Sequence, residues 1–216
     1  MWFFYYPFNN MFLYHIHSLK KLKIKAFSFV EIGIVLLIIG ILIGGIFKGK
    51  DLIDTAKGYT VAGEIHKILQ IIATYREQYQ ELPGDDPNAN RFGADVKSGN
   101  GNHIIDNDEA TLFWIHLYKA GLLEDYTPPP TKFGGQYTVS SDDQKNLWLI
   151  MSSKDGGGVL TPKQAQKIKS KLQSSVNDSS IQIKNGKNTT TCIASDGTLN
   201  LLNDESSCIV RIKIKD

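Results

Sequence analysis

Hydrophobic residues are arranged differently in three successive parts of the chain. The longest apolar run covers residues 27–47, and Glu31 is its only charged residue. About 20 apolar residues in a helix, at roughly 1.5 Å per residue, cross the hydrocarbon core of a bilayer. Over residues 48–80, apolar side chains recur mainly three and four positions apart, which predicts an amphipathic helix. No proline occurs between Phe47 and Pro83, so we expect one continuous helix over about 28–80.

The remainder of the chain, residues 81–216, alternates between short helical and strand-like segments. A helix is predicted at 108–120 with Gly121 as its C-terminal stop, and another to about residue 172, with Thr161 as N-cap and Pro162 as first residue. Strand-like runs lie at 136–140, 147–151, 181–184, 190–194 and 209–214. The pattern predicts an α+β fold, a long N-terminal α-helical spine packed on a small antiparallel β-sheet head.

Charge and flanking sequence indicate how the apolar run is used. Lysines 20, 21, 23 and 25 precede it, which favours a cytoplasmic N-terminus and a head outside the cytoplasm. The run is longer than the apolar part of a signal peptide, and no Ala-x-Ala site follows it, so we expect it to be retained. The chain has 24 basic and 22 acidic residues, net +2, which does not indicate a nucleic-acid surface.

Glu31 is unusual inside such a run. A charged side chain at the centre of a membrane costs about 3 kcal/mol or more, so intramembrane carboxylates usually have a partner or a role. No basic residue lies between Phe27 and Phe47 to pair with it. One explanation is structural: the Glu31 carboxylate reaches the lipid headgroups or stays protonated. The other is that Glu31 has a function.

The sequence KAFSFVEIGIVLLIIG, with its basic leader, resembles the processing site of prepilins, the precursors of type IV pilins and type II secretion pseudopilins. The resemblance implies that residues 1–26 are a leader, cleaved by a prepilin peptidase between Ala26 and Phe27. The new amino terminus at Phe27 would be methylated, and Glu31 would be the assembly glutamate. Ala26 stands where the family mostly has glycine. Translation starts at Met1 or at Met11, which would leave a shorter leader.

The resemblance implies a non-enzymatic filament subunit of a type II secretion pseudopilus or type IV pilus-like filament, and the size of the head favours a minor subunit. Its partners would be other pilin or pseudopilin subunits, the prepilin peptidase and the inner-membrane assembly platform. The precursor would be a single-pass inner-membrane protein with a periplasmic head. Two alternatives stay open: an unprocessed, signal-anchored periplasmic binding protein, and a competence-type DNA-uptake minor pilin. No Gly-x-Ser-x-Gly nucleophile motif supports an enzyme.

A polar loop before the first head helix is a candidate metal site. In the register of a calcium-binding EF-hand loop, the oxygen ligands are Ser98, Asn100, Asn102, the Ile104 carbonyl, Asp106 and Glu109. Ser98 replaces the usual acidic first ligand, and His103 stands where glycine normally makes the sharp turn. We therefore expect at most weak Ca²⁺ binding and no certain cofactor. The alternative is a polar loop in which Asp106 or Asp108 caps the helix.

Cys192 and Cys208 are the only cysteines. They could be free thiols, part of a metal site or one disulfide. No second Cys or His lies at zinc-ligand spacing, and a periplasmic head favours the disulfide.

Overall fold

The computed structural model describes residues 27–187 and 189–214. The predicted leader, including Met11 and Ala26, lies outside them. The described residues divide into two compact units, which meet between Phe47 and Lys48 in the chain. Helix α1 (Phe29–Tyr79) is one uninterrupted α-helix of 51 residues, which confirms the helix predicted over about 28–80.

In the first unit, the described residues 27–47 have exposed side chains and are helical from Phe29 onward. Phe29 is 92% exposed and Ile46 is 70% exposed. Among the described residues, α1 is the helix long and apolar enough to cross a membrane. An apolar surface on all sides of a helix suits lipid or a bundle of other helices, because water would solvate it poorly.

In the second unit, one face of α1 enters the hydrophobic core. The buried face consists of Val61, Ala62, Ile65, Ile68, Ile72 and Tyr75. Their spacing of mainly three and four residues is the periodicity that predicted an amphipathic helix. These side chains share one core cluster with sheet residues such as Leu149, Val210 and Ile212, so α1 packs on the sheet.

The sheet has four antiparallel strands in the order β1-β2-β4-β3. The strands are β1 (Gln136–Ser141), β2 (Leu147–Ser152), β3 (Ile181–Asn185) and β4 (Cys208–Lys213). In β4 the buried positions 208, 210 and 212 alternate with partly exposed ones, as expected for a sheet with one face in the core. The α+β fold and four of the five predicted strands are confirmed.

The predicted strand at 190–194 is wrong. Ile193 makes only an isolated bridge with Leu199. The backbone N–H groups of Cys192 and Ile193 donate to the Asn185 side chain, each at 3.0 Å, rather than to a neighbouring strand. Ala194 then bonds to the Thr198 carbonyl across a tight turn, so the segment ends before a ladder can form.

The two head helices begin and end with the local signals that predicted them. Helix α2 (Asn107–Lys119) follows the N-cap Asp106, and α3 (Pro162–Leu172) follows the N-cap Thr161. Gly121 has a φ of 73°, and the N–H of Leu122 reaches back to the Leu117 carbonyl. This is the left-handed glycine stop expected after a helix.

Candidate functional site

Glu31 lies in the first turn of α1 and has a local hydrogen-bond partner. Its Oε2 accepts the backbone N–H of Ser28 at 3.3 Å, and the Ser28 hydroxyl oxygen accepts the N–H of Val30 at 3.3 Å. Ser-x-x-Glu is the sequence pattern of a capping box, a reciprocal set of bonds that satisfies free N–H groups at a helix start. This role was not predicted, although the pattern is visible in the sequence at residues 28–31.

Phe27 precedes α1 and is 76% exposed. Glu31 follows it by four positions, which is about one helical turn. A cleavage before Phe27 would therefore place a new ammonium group near the helix start that carries the Glu31 carboxylate. A negative charge is favourable at that end of a helix because of the exposed N–H groups there.

The loop at residues 98–109 is closed by backbone N–H groups that donate to side-chain oxygens. Asn100 Oδ1 accepts the N–H of Asn102 at 3.0 Å, and Asn102 Oδ1 accepts that of Ile104 at 2.8 Å. The Glu109 carboxylate accepts the N–H groups of Asn100, at 3.1 Å, and Asp106, at 3.3 Å. Asp106 Oδ1 accepts two N–H bonds from the first turn of α2. The predicted helix cap is therefore present.

These bonds engage oxygens that a Ca²⁺ ion would also need. Calcium needs six to eight converging oxygen ligands, whereas both carboxylates of the predicted set, Asp106 and Glu109, already accept N–H bonds. Among the described residues, no group of three His, Cys, Asp or Glu side chains could hold a metal. His103 has a φ of 63°, so it makes the sharp turn for which glycine is usual. Burial raises the pKa of Glu109.

A largely buried polar cluster, here called the turn cluster, joins the Pro83–Asp86 turn to this loop and to α2, and only its arginine is exposed. It consists of Asp85, Asp86, Arg91 and His116. Asp85 is fully buried, and its two oxygens accept the N–H groups of Asn102 at 3.1 Å and His103 at 2.6 Å. Asp85 lies outside the 98–109 loop in the sequence and accepts backbone N–H groups of that loop, as the loop residue Glu109 also does.

Asp86 is also fully buried, and its hydrogen-bond partners differ from those of Asp85. It accepts hydrogen bonds from Arg91 at 2.6 and 2.8 Å, from the Tyr75 hydroxyl at 2.6 Å and from the N–H of Asn88 at 2.8 Å. Burial, and then the bond to Asp86, raise the pKa of Tyr75. No role was predicted for Arg91. An arginine five residues after an aspartate does not by itself predict an ion pair, because such spacings are common in sequences.

His116 completes the turn cluster as a buried, neutral imidazole. Its Nδ1 accepts the N–H of Gly84 at 2.9 Å, so its Nε2 donates to the Lys97 carbonyl at 2.9 Å. Burial lowers the pKa of His116, and the nearby Arg91 acts in the same direction, whereas the Lys97 carbonyl and Asp86 oppose the shift. Protonation at Nδ1 would remove the acceptor that Gly84 needs.

We predict that the free energy of unfolding falls as the pH drops below about 6.5, because the unfolded chain then binds a proton that folded His116 does not. The slope from this group reaches at most about 1.4 kcal/mol per pH unit. His116→Leu is expected to flatten this slope and to cost about 2 kcal/mol at pH 7, because Gly84 and Lys97 lose their partner. Urea unfolding at pH 5 and pH 7 measures both effects. His103→Asn, on the surface, is the control and keeps the slope.

Cys192 and Cys208 form the disulfide that the sequence analysis favoured. Both are fully buried, and their Cα atoms are 5.1 Å apart. The bond ties the segment before β4 to the first residue of that strand. It closes a loop at residues 193–207, here called the disulfide loop.

Comparison with known proteins adds one structural likeness. No family model matches the chain, and no curated protein matches it. Among solved structures, the chain is similar to the major type IV pilin PilA1 from Clostridium difficile, with 18% sequence identity and a TM-score of 0.41. The match covers 76% of this chain and 98% of that chain. At this identity and score, the function is argued from the chain's own residues.

Proposed function

We propose that this protein is a filament subunit of a type IV pilus or a type II secretion pseudopilus, made as a membrane-anchored precursor and cut between Ala26 and Phe27. The observation that carries the proposal is the start of α1. It has exposed apolar side chains over residues 27–47 and a single carboxylate, Glu31, in its first turn. A membrane anchor explains the apolar surface, but it does not require a carboxylate within the apolar run.

In this function, residues 27–47 pass from lipid into a bundle formed with the corresponding helices of other subunits. Cleavage creates an ammonium group at Phe27, and methylation keeps its charge. The Glu31 carboxylate of one subunit neutralises the ammonium of its neighbour. A buried ion pair adds little net stability, but it penalises every register in which one charge is left unpaired. The pair therefore sets the position of each new subunit.

The head, residues 81–216, is proposed to lie in the periplasm before assembly. The Cys192–Cys208 disulfide supports this, because such bonds persist mainly in oxidising compartments. The four lysines before the apolar run support a cytoplasmic leader. The proposed partners are other subunits of the filament, the prepilin peptidase and the inner-membrane assembly platform.

The mature N-terminus tests this function directly. We expect mass spectrometry to find a chain that starts at Phe27 with a methylated amine in cells with a prepilin peptidase. The full leader should remain in cells without the enzyme. An intact leader in both strains would contradict the proposal and leave a signal-anchored protein with a periplasmic binding head.

Calcium binding by the 98–109 loop stays a prediction. We expect any binding to be weak, with a Kd of about 1 mM or above, because Asp106 and Glu109 already serve as caps. At about 10 mM Ca²⁺ the head would then gain no more than about 1.4 kcal/mol. Urea unfolding with and without Ca²⁺ measures the gain, and Glu109→Gln should abolish it. A micromolar Kd would contradict the expectation.

A further inference from the structure

The exposed large aliphatic side chains of the second unit lie in two places. Leu52 and Ile53 are 69% and 58% exposed on α1, four and five residues after Lys48. Leu201 and Leu202 are 38% and 94% exposed in the disulfide loop. The described residues of this unit have no other exposed Leu, Ile, Val or Met. A single exposed leucine is common on protein surfaces, so the four residues become informative only if they share one location.

Helix α3 relates the two places to each other, because it lies beside α1 and runs in the same direction. Gln164, in its first turn, donates to Asp54 at 3.1 Å. Eleven residues later, just past the end of α3, Ser175 Oγ lies 2.7 Å from His66 Nε2, and His66 is twelve residues after Asp54. The N-terminal end of α3 is therefore the end nearer to Lys48.

The lysine side chains of α3 extend toward this end, because side chains on a helix lean toward its N-terminus. Lys167 pairs with Asp51. Lys163 lies one turn earlier and pairs with Asp204 at 3.2 Å. One turn is about 5.4 Å, or nearly four residues of α1. The Lys163–Asp204 pair, and the disulfide loop with it, therefore lie near the level of Lys48.

This level is also where the chain leaves the bilayer in the proposed function. Residues 27–47 as a helix span about 30 Å, the thickness of the hydrocarbon core, and the headgroups add about 5–8 Å on each side. Lys48 then lies at the edge of the core. Leu52 and Ile53 lie among the headgroups, because they are about 6–8 Å further along α1. Leu202 is two residues, at most about 7 Å of chain, from the ion pair at the level of Lys48, so it lies within reach of the headgroups.

Charge neither drives nor opposes a contact at this end. Residues 48–54, 163–167 and 201–205 together contain four lysines and four acidic residues. Two of those acidic residues, Asp51 and Asp204, are paired with lysines. The partner of this end is therefore selected by its position and by apolar burial.

We propose that Leu201 and Leu202 insert into the headgroup layer of the membrane that holds the anchor, on its periplasmic side. The bilayer is the partner because the span that ends at Phe47 holds it at this end of the head before another subunit arrives. Two leucines bury little area, so the contact is reversible and is released when the subunit is extracted. It gives the head a second attachment besides α1. The inference rests on the proposed function, because it needs residues 27–47 to lie in the membrane.

Fluorescence of the full chain in vesicles tests the contact. The vesicles contain equal parts of phosphatidylcholine and phosphatidylglycerol. Leu202→Cys carries an environment-sensitive dye on its thiol, while the buried Cys192–Cys208 bond leaves no other thiol to label. We expect a blue-shifted emission, which a quencher attached to the lipid chains lowers and aqueous iodide leaves unchanged.

The matched control is Asn177→Cys with the same dye. Asn177 is exposed, and its side chain makes no helix-capping hydrogen bond. It lines a groove together with Ile72, and the 24 residues from Lys48 to Ile72 span about 36 Å of α1. The dye there should emit as in water and be quenched by iodide. Equal emission and equal quenching at the two positions would overturn the proposal.

Hydrogen exchange in the same vesicles gives a second test without a dye. The backbone N–H groups of residues 201–205 should exchange about fivefold faster in Leu202→Ser than in the unaltered chain. That factor corresponds to losing about half of the burial of one leucine. Leu202→Phe keeps an apolar side chain and should exchange like the unaltered chain. Equal exchange in the Ser and Phe variants would contradict the contact.

Flotation of the vesicles in a density gradient separates the contact from the proposed function. If the chain floats and the dye at position 202 is in water, the contact is wrong and the anchor stands. A dye that is shielded from iodide but out of reach of the lipid quencher, and that becomes exposed when the chain is diluted with lipid, would assign Leu202 to a second copy and overturn the proposal. If the chain does not float, the anchor is missing and both proposals fail.

Discussion

Glu31→Ala is expected to lower the yield of assembled filaments by more than about tenfold, because the ammonium of the neighbouring subunit stays buried without a counter-charge. The variant should still be made, inserted in the membrane and folded in its head. Electron microscopy of sheared filaments, and the share of subunit released by shearing, measure the loss. Normal assembly by the variant would contradict the role proposed for Glu31.

Two further variants separate the charge of Glu31 from its structural role as a helix cap. Glu31→Gln retains an acceptor for the Ser28 N–H, because Gln also serves in a capping box, but it removes the charge. Ser28→Ala removes the hydroxyl cap and keeps the charge. If charge pairing drives assembly, Glu31→Gln fails and Ser28→Ala assembles. The reverse pattern would reduce Glu31 to a helix-capping residue.

Asp86→Ala is expected to destabilise the head by about 2–3 kcal/mol, because the buried Tyr75 hydroxyl loses its acceptor while Arg91 stays partly in solvent. The change leaves the Tyr75 hydroxyl and the Arg91 guanidinium without their shared acceptor, and it frees the N–H of Asn88. Urea unfolding of the full chain in detergent, followed by tryptophan fluorescence, measures the loss, since Trp114 is buried in the head core.

The matched control for this change is Asp95→Ala. Asp95 pairs with Lys119 at 3.1 Å, but its side chain is 75% exposed. Exposed ion pairs contribute between about 0 and 1 kcal/mol, so this variant should unfold almost as the unaltered chain does. Equal losses from the two variants would contradict a special role for the buried Asp86.

Asp86 is also the residue whose role was hardest to predict. Its neighbour Asp85 and the turn at 83–86 were visible in the sequence, and adjacent aspartates suit a turn. Their burial was not visible, because it depends on Tyr75, 11 positions earlier, and on a loop 17 positions later. The same holds for His116, whose partners Gly84 and Lys97 are distant along the chain.

The sequence by itself determined the long helix, the two head helices with their caps, and four of the five predicted strands. These features follow from spacing and from residues within a few positions of one another, which act before any tertiary contact forms. It also pointed to Phe27, Glu31 and the cysteine pair. The Ca²⁺ register at 98–109 was a local pattern as well, yet the structure fills that loop with N–H bonds to its carboxylates.

Only the tertiary structure decided which polar groups are buried and what they bind. The segment 190–194 has strand-like residues, but the N–H groups of Cys192 and Ile193 donate to the Asn185 side chain and not to a neighbouring strand. The turn cluster arises when segments far apart in the chain pack together. The burial of a polar side chain is set by those partners, and one sequence read in order does not show which partners meet.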